Sequence, residues 1–246
     1  MRILAATNNK HKIGEFRSIL ANAGFELVSP DSLGREVPDI PEDGATFEEN
    51  AAIKALGFAK FAGMTVIADD SGLEIKALGN APGIYSARYA DTNDKRIERV
   101  LRELEEVKRK TGETENRRCG RGENIEHRTQ IGNQKSKIEN TGGWRDETGG
   151  SPDRSARFVC VIALAVPGKV VATFRGEVYG RIGFEARGAG GFGYDPVFIP
   201  DGYDKTFAEL GSEIKDSISH RANALGKMNE YLNLNRENIE HAAMHG

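Results

Sequence analysis

The sequence predicts an α/β protein, because short apolar runs with strand character alternate with amphipathic helices. The apolar runs at residues 2–6, 64–67 and 157–166 have the length of strands. Between them, apolar side chains recur at helical spacing within residues 13–23 and 47–62. This alternation is typical of a sheet that carries helices on its faces.

The first predicted strand, residues 2–6, leads through Thr7, Asn8 and Asn9 into the first helix. Asn8 or Asn9 is a suitable N-cap, because a short amide side chain accepts hydrogen bonds from the free N–H groups of a first turn. Residues 26–29 predict a second strand. The N-terminal segment therefore predicts a strand, helix and strand in succession.

A second helix is predicted to start at Thr46, which with Glu49 forms a capping box. Residues 64–67 then predict a buried strand, and residues 73–77 predict its hairpin partner. The same signals predict the remaining elements, which are a helix at 93–107, strands at 157–166, 169–178 and 198–199, a glycine-rich loop at 188–196 and a final helix after Ser219.

Residues 108–155 differ in composition from the rest of the chain. Their sizeable apolar residues are few, whereas Gly, Arg, Asn and Glu are abundant. Such a segment cannot bury enough apolar surface to offset the entropy lost on ordering. We interpret residues 108–155 as a polar, mostly disordered insertion into a single domain that spans residues 1–246.

The overall composition excludes several classes of protein. The net charge of −3 provides no general basic field for nucleic acid. The two cysteines, Cys119 and Cys160, indicate neither a disulfide framework nor a zinc site. No apolar run is long enough for a membrane span, and no signal peptide is recognisable. We expect a cytoplasmic protein with no membrane partner.

Two carboxylates, Asp69 and Asp70, follow the strand at 64–67 and precede Ser71. Open α/β sheets bind their ligands at the carboxyl ends of strands, which makes this stretch a candidate site. Neighbouring side chains of a regular strand point to opposite faces of the sheet. We therefore expect one carboxylate to face the substrate and the other to support it, and a simple turn is the alternative.

The segment from Thr7 to Lys12 is a candidate anion site. It lies between a strand and a helix, where free N–H groups and the helix dipole attract negative charge. Asn9 adds a further donor and Lys12 adds a full positive charge. Ordinary helix capping with solvated lysines is the alternative interpretation.

A candidate metal site combines Glu42 with Asp70. Two carboxylates suit Mg²⁺, which keeps several waters and binds substrate phosphates. Asn50 and Lys54 lie four residues apart on the helix that follows Glu42, so they share one of its faces. Without these neighbours, Glu42 would be interpreted as a solvated loop residue.

The glycine-rich loop at 188–196 matches a dinucleotide-binding pattern, but no helix follows it and Pro196 does. Its aromatic residues Phe192 and Tyr194 are better suited to stacking on a flat ring. Further along the chain, Ser219, His220 and Arg221 bring hydrogen-bonding groups to the start of a helix. Capping by Ser219 and a surface ion pair are the alternative there.

Taken together, these motifs resemble the inosine triphosphate pyrophosphatase family. Six strings carry the resemblance and occur in the family's order: Thr7-Asn8-Asn9-x-x-Lys12, Thr46-Phe47-x-Glu49-Asn50-Ala51 through Lys54, Ala68-Asp69-Asp70-Ser71-Gly72-Leu73, Ala81-Pro82-Gly83-Ile84-Tyr85-Ser86-Ala87-Arg88-Tyr89, Gly190-Gly191-Phe192-Gly193-Tyr194-Asp195-Pro196 and Ser219-His220-Arg221. They cover nearly the whole chain outside residues 108–155, where the family usually has a short loop.

The resemblance implies an elongated mixed sheet with flanking helices, and two lobes around a central nucleotide-binding cleft. It implies a homodimer that hydrolyses ITP, dITP or XTP to the monophosphate and pyrophosphate with Mg²⁺. It assigns catalysis to Asp70 and the metal to Glu42 and Asp70. The substrate-binding residues that it implies are Thr7, Asn8, Asn9, Lys12, Lys54, Ser71, Phe192, Gly193, Tyr194, Asp195, Lys215, Ser219, His220 and Arg221.

Two other functions fit the sequence less well. A nucleotide-binding sensor without catalysis would use the same cleft and release no product. An RNA-binding protein would use the Arg-rich residues of 108–155, and its affinity would fall steeply with salt.

Overall fold

The computed structural model of the chain describes residues 1–34, 36–119 and 153–245. It confirms the predicted α/β class. The strands are β1 (Arg2–Ala5), β2 (Glu26–Val28), β3 (Val66–Ile75), β4 (Ser155–Val166), β5 (Lys169–Ile182) and β6 (Phe198–Pro200). The α-helices are α1 (Lys10–Ile19), α2 (Phe47–Ala62), α3 (Asn93–Cys119), α4 (Phe207–Leu210), α5 (Ser212–Ile218) and α6 (His220–His245).

The strands form one mixed sheet in the order β2-β1-β3-β4-β5-β6. The first three strands run parallel, and β3 to β6 are joined by antiparallel pairing. Strand β1 pairs with only the start of β3, at Val66 and Ile67. The later residues of β3 therefore extend past the end of β1, next to the loop that leads into α1.

Apolar side chains cover both faces of this sheet. One cluster packs α1 and α6 against a face that includes Ile67 and Cys160. A second packs α2 against the opposite face, which includes Ala68 and Val161. A third surrounds Phe198 and joins α3 to the far part of the sheet. None of the described helices is sufficiently long and apolar to serve as a membrane span.

The predicted helix caps are confirmed. Asn9, rather than Asn8, caps α1, and its Oδ1 atom accepts hydrogen bonds from the backbone N–H groups of His11 and Lys12. At α2, the Thr46 hydroxyl accepts a hydrogen bond from Glu49 N. Glu49 returns its own side chain to Ala45 N rather than to Thr46 N. These caps fix the start of each helix beside the site described below.

The predicted hairpin at residues 73–77 is wrong, because β3 is one strand of 10 residues that runs from Val66 to Ile75. Gly72 marks a close approach of two backbones there and not a turn. A Cβ atom at Gly72 would lie 2.3 Å from the carbonyl oxygen of Gly83. Asp69 and Asp70 consequently lie in the middle of a strand rather than after its end.

The helix predicted to end at residue 107 continues to Cys119 in α3. Lys, Arg and Glu dominate residues 108–119, and all three have high helix propensity, which favours continuation of the helix. Residues 108–119, the first part of the segment predicted to be mostly disordered, thus belong to α3. Residues 120–152 lie outside the described residues, so disorder there stays a prediction.

Candidate active site

Asp69 and Asp70 lie on opposite faces of the sheet, as the strand geometry predicts. Asp69 is on the face of β3 that packs against α1 and α6, the same face as Ile67. Asp70 is on the face that packs against α2, the same face as Ala68. The two carboxylates therefore have different neighbours, and they cannot share one proton.

Asp69 is fully enclosed and bound to cations from two distant parts of the chain. Its Oδ2 atom lies 2.8 Å from Lys12 Nζ, 3.2 Å from the Ser71 hydroxyl and 3.3 Å from Arg221 Nη2. Burial by itself raises the pKa of Asp69, but Lys12 and Arg221 outweigh it and hold the pKa well below its usual range. Asp69 is thus a fixed anion that links α1 to α6.

Asp70 has a less compensated environment. Its Oδ2 atom accepts a hydrogen bond of 3.0 Å from Asn50 Nδ2, and its Oδ1 atom accepts one from Ser71 N. The pKa of Asp70 is raised to about 6. Burial is the main cause and Glu42 adds to it, while Asn50 and Lys54 act in the opposite direction. A carboxyl group with this pKa is ionised at neutral pH and can still accept a proton.

Lys54 connects Glu42 to the strand that carries these carboxylates. Its Nζ atom lies 2.8 Å from Glu42 Oε1 and donates a hydrogen bond of 2.9 Å to the Asp69 carbonyl. Asn50, one turn earlier on α2, binds Asp70 and also accepts a hydrogen bond from Gly44 N. The shared helix face predicted for Asn50 and Lys54 is therefore confirmed.

The loop between β1 and α1 presents polar groups near Lys12. The Thr7 hydroxyl accepts a hydrogen bond from Asn9 N, which tightens the turn. Asn8 and Asn9 are exposed, and Asn9 uses its Oδ1 atom as the cap of α1. The structure thus brings the predicted anion site together with Asp69 through Lys12.

The glycine-rich loop holds Phe192 against a pair of ionic groups. Asp195 Oδ2 accepts hydrogen bonds from Phe192 N at 2.7 Å and from Lys215 Nζ at 2.6 Å. Lys215 Nζ also lies 4.5 Å from the centre of the Phe192 ring. Gly191 has a φ of +72°, and a Cβ atom there would lie 2.1 Å from Asp195 Oδ2, so only glycine fits. Gly193 follows with a φ of +64°.

Arg221 joins the two halves of the cluster. The guanidinium binds Asp69 and Ser71 through Nη2 and Glu15 through Nη1, and its carbon lies 5.8 Å from the Phe192 ring centre. Its Nε atom has no hydrogen-bond partner within the described part of the chain. Arg221 therefore contacts residues from both ends of the candidate site.

Three further predicted substrate-binding residues are buried, as Asp195, Lys215 and Arg221 are. Ser219 caps α6, because its hydroxyl accepts a hydrogen bond from Ala222 N. His220 stacks on Phe158, and burial lowers the pKa of His220 well below its ordinary value. The Tyr194 hydroxyl donates to the Ser86 carbonyl, within the third apolar cluster. The substrate contacts that the resemblance implies for these side chains remain predictions.

Glu15 is a functional candidate that the sequence analysis missed. Its carboxylate binds Arg221 and lies 2.8 Å from Lys215 Nζ, and these two partners lower its pKa although burial raises it. Lys12 and Glu15 are three residues apart and therefore lie on one face of α1. This spacing is the one feature of the sequence that links Glu15 to the candidate site. Its partners lie about 200 residues away in the chain, so no local pattern indicates the pairing.

The residues of the cluster can be assigned to three kinds of chemical task. Lys12, Lys54 and the start of α1 carry the positive charge that suits a phosphate group. The carboxylates of Asp70 and Glu42 carry oxygen atoms of the kind that hard cations prefer. Phe192 provides an aromatic face beside the donors Lys215 and Arg221.

Comparison with known proteins places these motifs in a family. The profile of the Ham1 family matches residues 3–119 and 125–231. A dITP/XTP pyrophosphatase of Oceanobacillus iheyensis is 40% identical over 234 residues, which cover 94% of this chain and 98% of that protein. A dITP/XTP pyrophosphatase of Bacillus subtilis is 39% identical over 232 residues, covering 93% and 96% respectively.

Solved structures agree with the sequence comparison. A HAM1 protein from Coxiella burnetii superposes with a TM-score of 0.71 at 34% identity, covering 95% of this chain and 98% of that one. The Ham1 protein of Staphylococcus aureus gives a TM-score of 0.68 at 35% identity, with the same coverage. The resemblance inferred from the six motifs is confirmed, and the chain belongs to the Ham1 family.

Proposed function

We propose that the protein hydrolyses deaminated purine nucleoside triphosphates, namely ITP, dITP and XTP, to the monophosphate and pyrophosphate. One observation carries the proposal: Lys12 and Arg221 bind the same carboxylate oxygen of Asp69. Residues suited to phosphate and residues suited to a base therefore belong to one site. The names of the related pyrophosphatases support the same reaction.

Phosphate recognition rests on positive charge from two helices. A triphosphate is strongly anionic, and Lys12, Lys54 and the N-terminus of α1 offer the charge and donors to hold it. Lys12 is already oriented by Asp69, and Lys54 by Glu42. These ion pairs hold the lysines in place before a nucleotide arrives, which reduces the entropy lost on binding.

The donor set near Asp70 fits Mg²⁺. Among the residues that the structure describes, no group of three or more His, Cys, Asp or Glu side chains is arranged to hold a metal ion. A site built from Glu42 and Asp70 therefore needs substrate oxygens and water as its other ligands, which is the usual arrangement for Mg²⁺. The raised pKa of Asp70 reflects burial and the charge of Glu42, and both favour a cation.

Asp70 is the residue that we assign to proton transfer. In the reaction, water attacks the α-phosphorus and pyrophosphate leaves. Asp70 is ionised at neutral pH, so its carboxylate can accept the proton of the attacking water. Asn50 and Ser71 N orient the carboxylate. Bound Mg²⁺ would neutralise the charge that develops on the phosphates.

Base selectivity follows from the donors next to Phe192. The 6-oxo group of hypoxanthine or xanthine accepts hydrogen bonds, which Lys215 and Arg221 can donate. Adenine carries an amino group at this position and would leave a buried donor unpaired, at a cost of about 1–3 kcal/mol. One such mismatch gives roughly ten- to a hundred-fold discrimination, and several give more.

The test is a comparison of ITP, dITP, XTP and ATP with Mg²⁺, scored separately for pyrophosphate and for phosphate. We expect pyrophosphate from the first three and little product from ATP. Asp70→Asn should reduce turnover by at least roughly 100-fold while the protein still binds ITP. Asp204→Asn, at an exposed position, is the matched control and should keep full activity. Equal cleavage of ATP, or release of single phosphates, would contradict the proposal.

The resemblance also predicts a homodimer. Light scattering on the purified protein should then give twice the chain mass of 26.9 kDa. A mass of one chain at micromolar concentration would contradict this prediction, and it would leave the proposed reaction in place.

A further inference from the structure

The side chain of His11 stacks on the ring of Phe192, the ring to which the proposed function assigns the purine base. The His11 and Phe192 rings stack with their centres 5.2 Å apart and their planes 18° apart. This geometry lies within the usual range for offset aromatic pairs. Among the described residues, this stack is the one ring contact of the His11 side chain, which forms no hydrogen bond or ion pair there.

The position of His11 on α1 places it above the ionic cluster. Its backbone N–H donates to the Asn9 cap, so the residue belongs to the first turn of the helix. Four residues later, on the same helix face, Glu15 binds Lys215 and Arg221. His11 is exposed, whereas Lys215 and Arg221 are buried. The Phe192 ring is therefore contacted by His11 from an exposed position and by Lys215 from a buried one.

The second neighbour of the Phe192 ring cannot easily move. Lys215 Nζ lies 4.5 Å from the ring centre and is fixed by Asp195 and Glu15, at 2.6 and 2.8 Å. Removing Lys215 from these partners would leave charges buried and unpaired, which is costly. His11 forms no ion pair among the described residues, so it is the neighbour that an incoming ring can displace.

We propose that His11 is a displaceable cover of the base site, which stacks on Phe192 until a 6-oxopurine takes its place. The proposal rests on the proposed function, because that function supplies the flat ligand. The cover keeps water from the Phe192 face and makes each nucleotide compete with a side chain of the protein. His11 is thus a specificity-determining residue, since a base must gain more from Phe192, Lys215 and Arg221 than the imidazole does.

The direct test follows the imidazole protons of His11 by NMR in the full-length protein. The His11 signal is assigned by its loss in His11→Gln, and Phe192→Leu supplies the position of an unstacked ring. In the wild type we expect an upfield shift from the Phe192 ring current. Saturating inosine monophosphate should remove the shift caused by stacking. The signal of His241, on α6, is the internal control and should stay in place.

The affinity test compares the wild type with His11→Ala, using calorimetry and inosine monophosphate as the probe. Loss of a competing aromatic contact should lower the Kd roughly two- to tenfold. A matched variant, His241→Ala, should leave the Kd unchanged. A higher Kd for His11→Ala would overturn the proposal, because His11 would then support the base instead of competing with it.

The two proposals fail in distinguishable ways. If the wild type cleaves ITP to pyrophosphate but the His11 signal does not respond to inosine monophosphate, the cover is refuted and the proposed function stands. If the wild type cleaves none of the three deaminated triphosphates, the proposed function fails. If inosine monophosphate still shifts the His11 signal in that case, the result would support His11 as the cover of a nucleotide-binding site without catalysis.

Discussion

At the scale of single residues, the most informative contrast is between two adjacent aspartates. Asp69 is surrounded by compensating cations, and Lys12 and Arg221 hold its pKa low against the effect of burial. Asn50 and Lys54 oppose the effect of burial on Asp70 only in part, and burial raises its pKa to about 6. The proposed function accordingly gives Asp69 a structural role and Asp70 a chemical one.

This contrast predicts opposite effects on stability. A pKa raised in the folded state means that the charged form of Asp70 destabilises the fold at pH 7. Asp70→Asn should therefore raise the free energy of unfolding, by roughly 1–3 kcal/mol. Asp69→Asn removes the partner of Lys12 and Arg221 and should lower it, by about 3 kcal/mol.

Urea unfolding at pH 7 without divalent cations measures both variants. The two substitutions are matched in chemistry and adjacent in sequence, so each is the control for the other. Equal destabilisation by both would contradict the assignment of different roles to the two carboxylates.

At the scale of elements, the glycine-rich loop is held by a contact that a side chain would prevent. Gly191→Ala adds a Cβ atom that would lie 2.1 Å from Asp195 Oδ2, in addition to the strain of a φ of +72°. The loop must then move, and Phe192 N loses its acceptor. We expect nucleotide affinity to fall at least about tenfold, since one buried hydrogen bond to a charged group is lost.

Gly193→Ala is the matched control for that prediction. Its φ of +64° imposes similar backbone strain, but a Cβ atom at Gly193 has no neighbour within 4 Å in the described structure. Affinity for inosine monophosphate, measured by calorimetry, should therefore fall much further for Gly191→Ala than for Gly193→Ala. Similar losses would mean that strain, and not the contact with Asp195, dominates.

Local sequence signals predicted most elements but not their full extent. The caps at Asn9 and Thr46 are local hydrogen-bonding patterns, and both are confirmed. The hairpin predicted for residues 73–77 requires a turn before Leu73, whereas Gly72 lies within β3 and faces the carbonyl of Gly83 from another segment. A requirement set by a distant backbone leaves no local pattern, and for that reason the long strand β3 was predicted as a hairpin.

The candidate site shows the same limit. Lys12, Asp70 and Arg221 were singled out from their motifs, and the structure connects Lys12 to Arg221 through Asp69. The pairing of Glu15 with Lys215 depends on how α1 packs against α5 and α6. That packing is decided by apolar contacts across the whole core, so no local motif indicates it.

At the scale of the whole molecule, a buried neutral histidine makes stability depend on pH. His220, the first residue of α6, is buried and stacks on Phe158. Burial holds the pKa of His220 well below the ordinary value of 6.5. Below pH 6.5 the unfolded chain binds a proton at this residue and the folded protein does not. Stability is therefore lost as the pH falls, by up to about 1.4 kcal/mol per pH unit.

Urea unfolding at pH 7.0 and pH 5.5 tests this prediction. The loss of unfolding free energy between the two pH values should be about 1 kcal/mol smaller in His220→Gln than in the wild type. The raised pKa of Asp70 acts in the opposite direction, but it is common to both proteins and cancels in the comparison. An identical pH dependence in both proteins would refute a neutral, buried His220.

The oxygen atom that Lys12 and Arg221 share has a consequence for how a nucleotide is sensed. If a ligand draws one cation away, the oxygen binds the other cation more strongly. The binding energies at the two cations are therefore not independent. A nucleoside and a pyrophosphate supplied as separate molecules each disturb this balance alone. Under the proposed function, an intact triphosphate contacts both cations at once, so its phosphate end and its base end are recognised together.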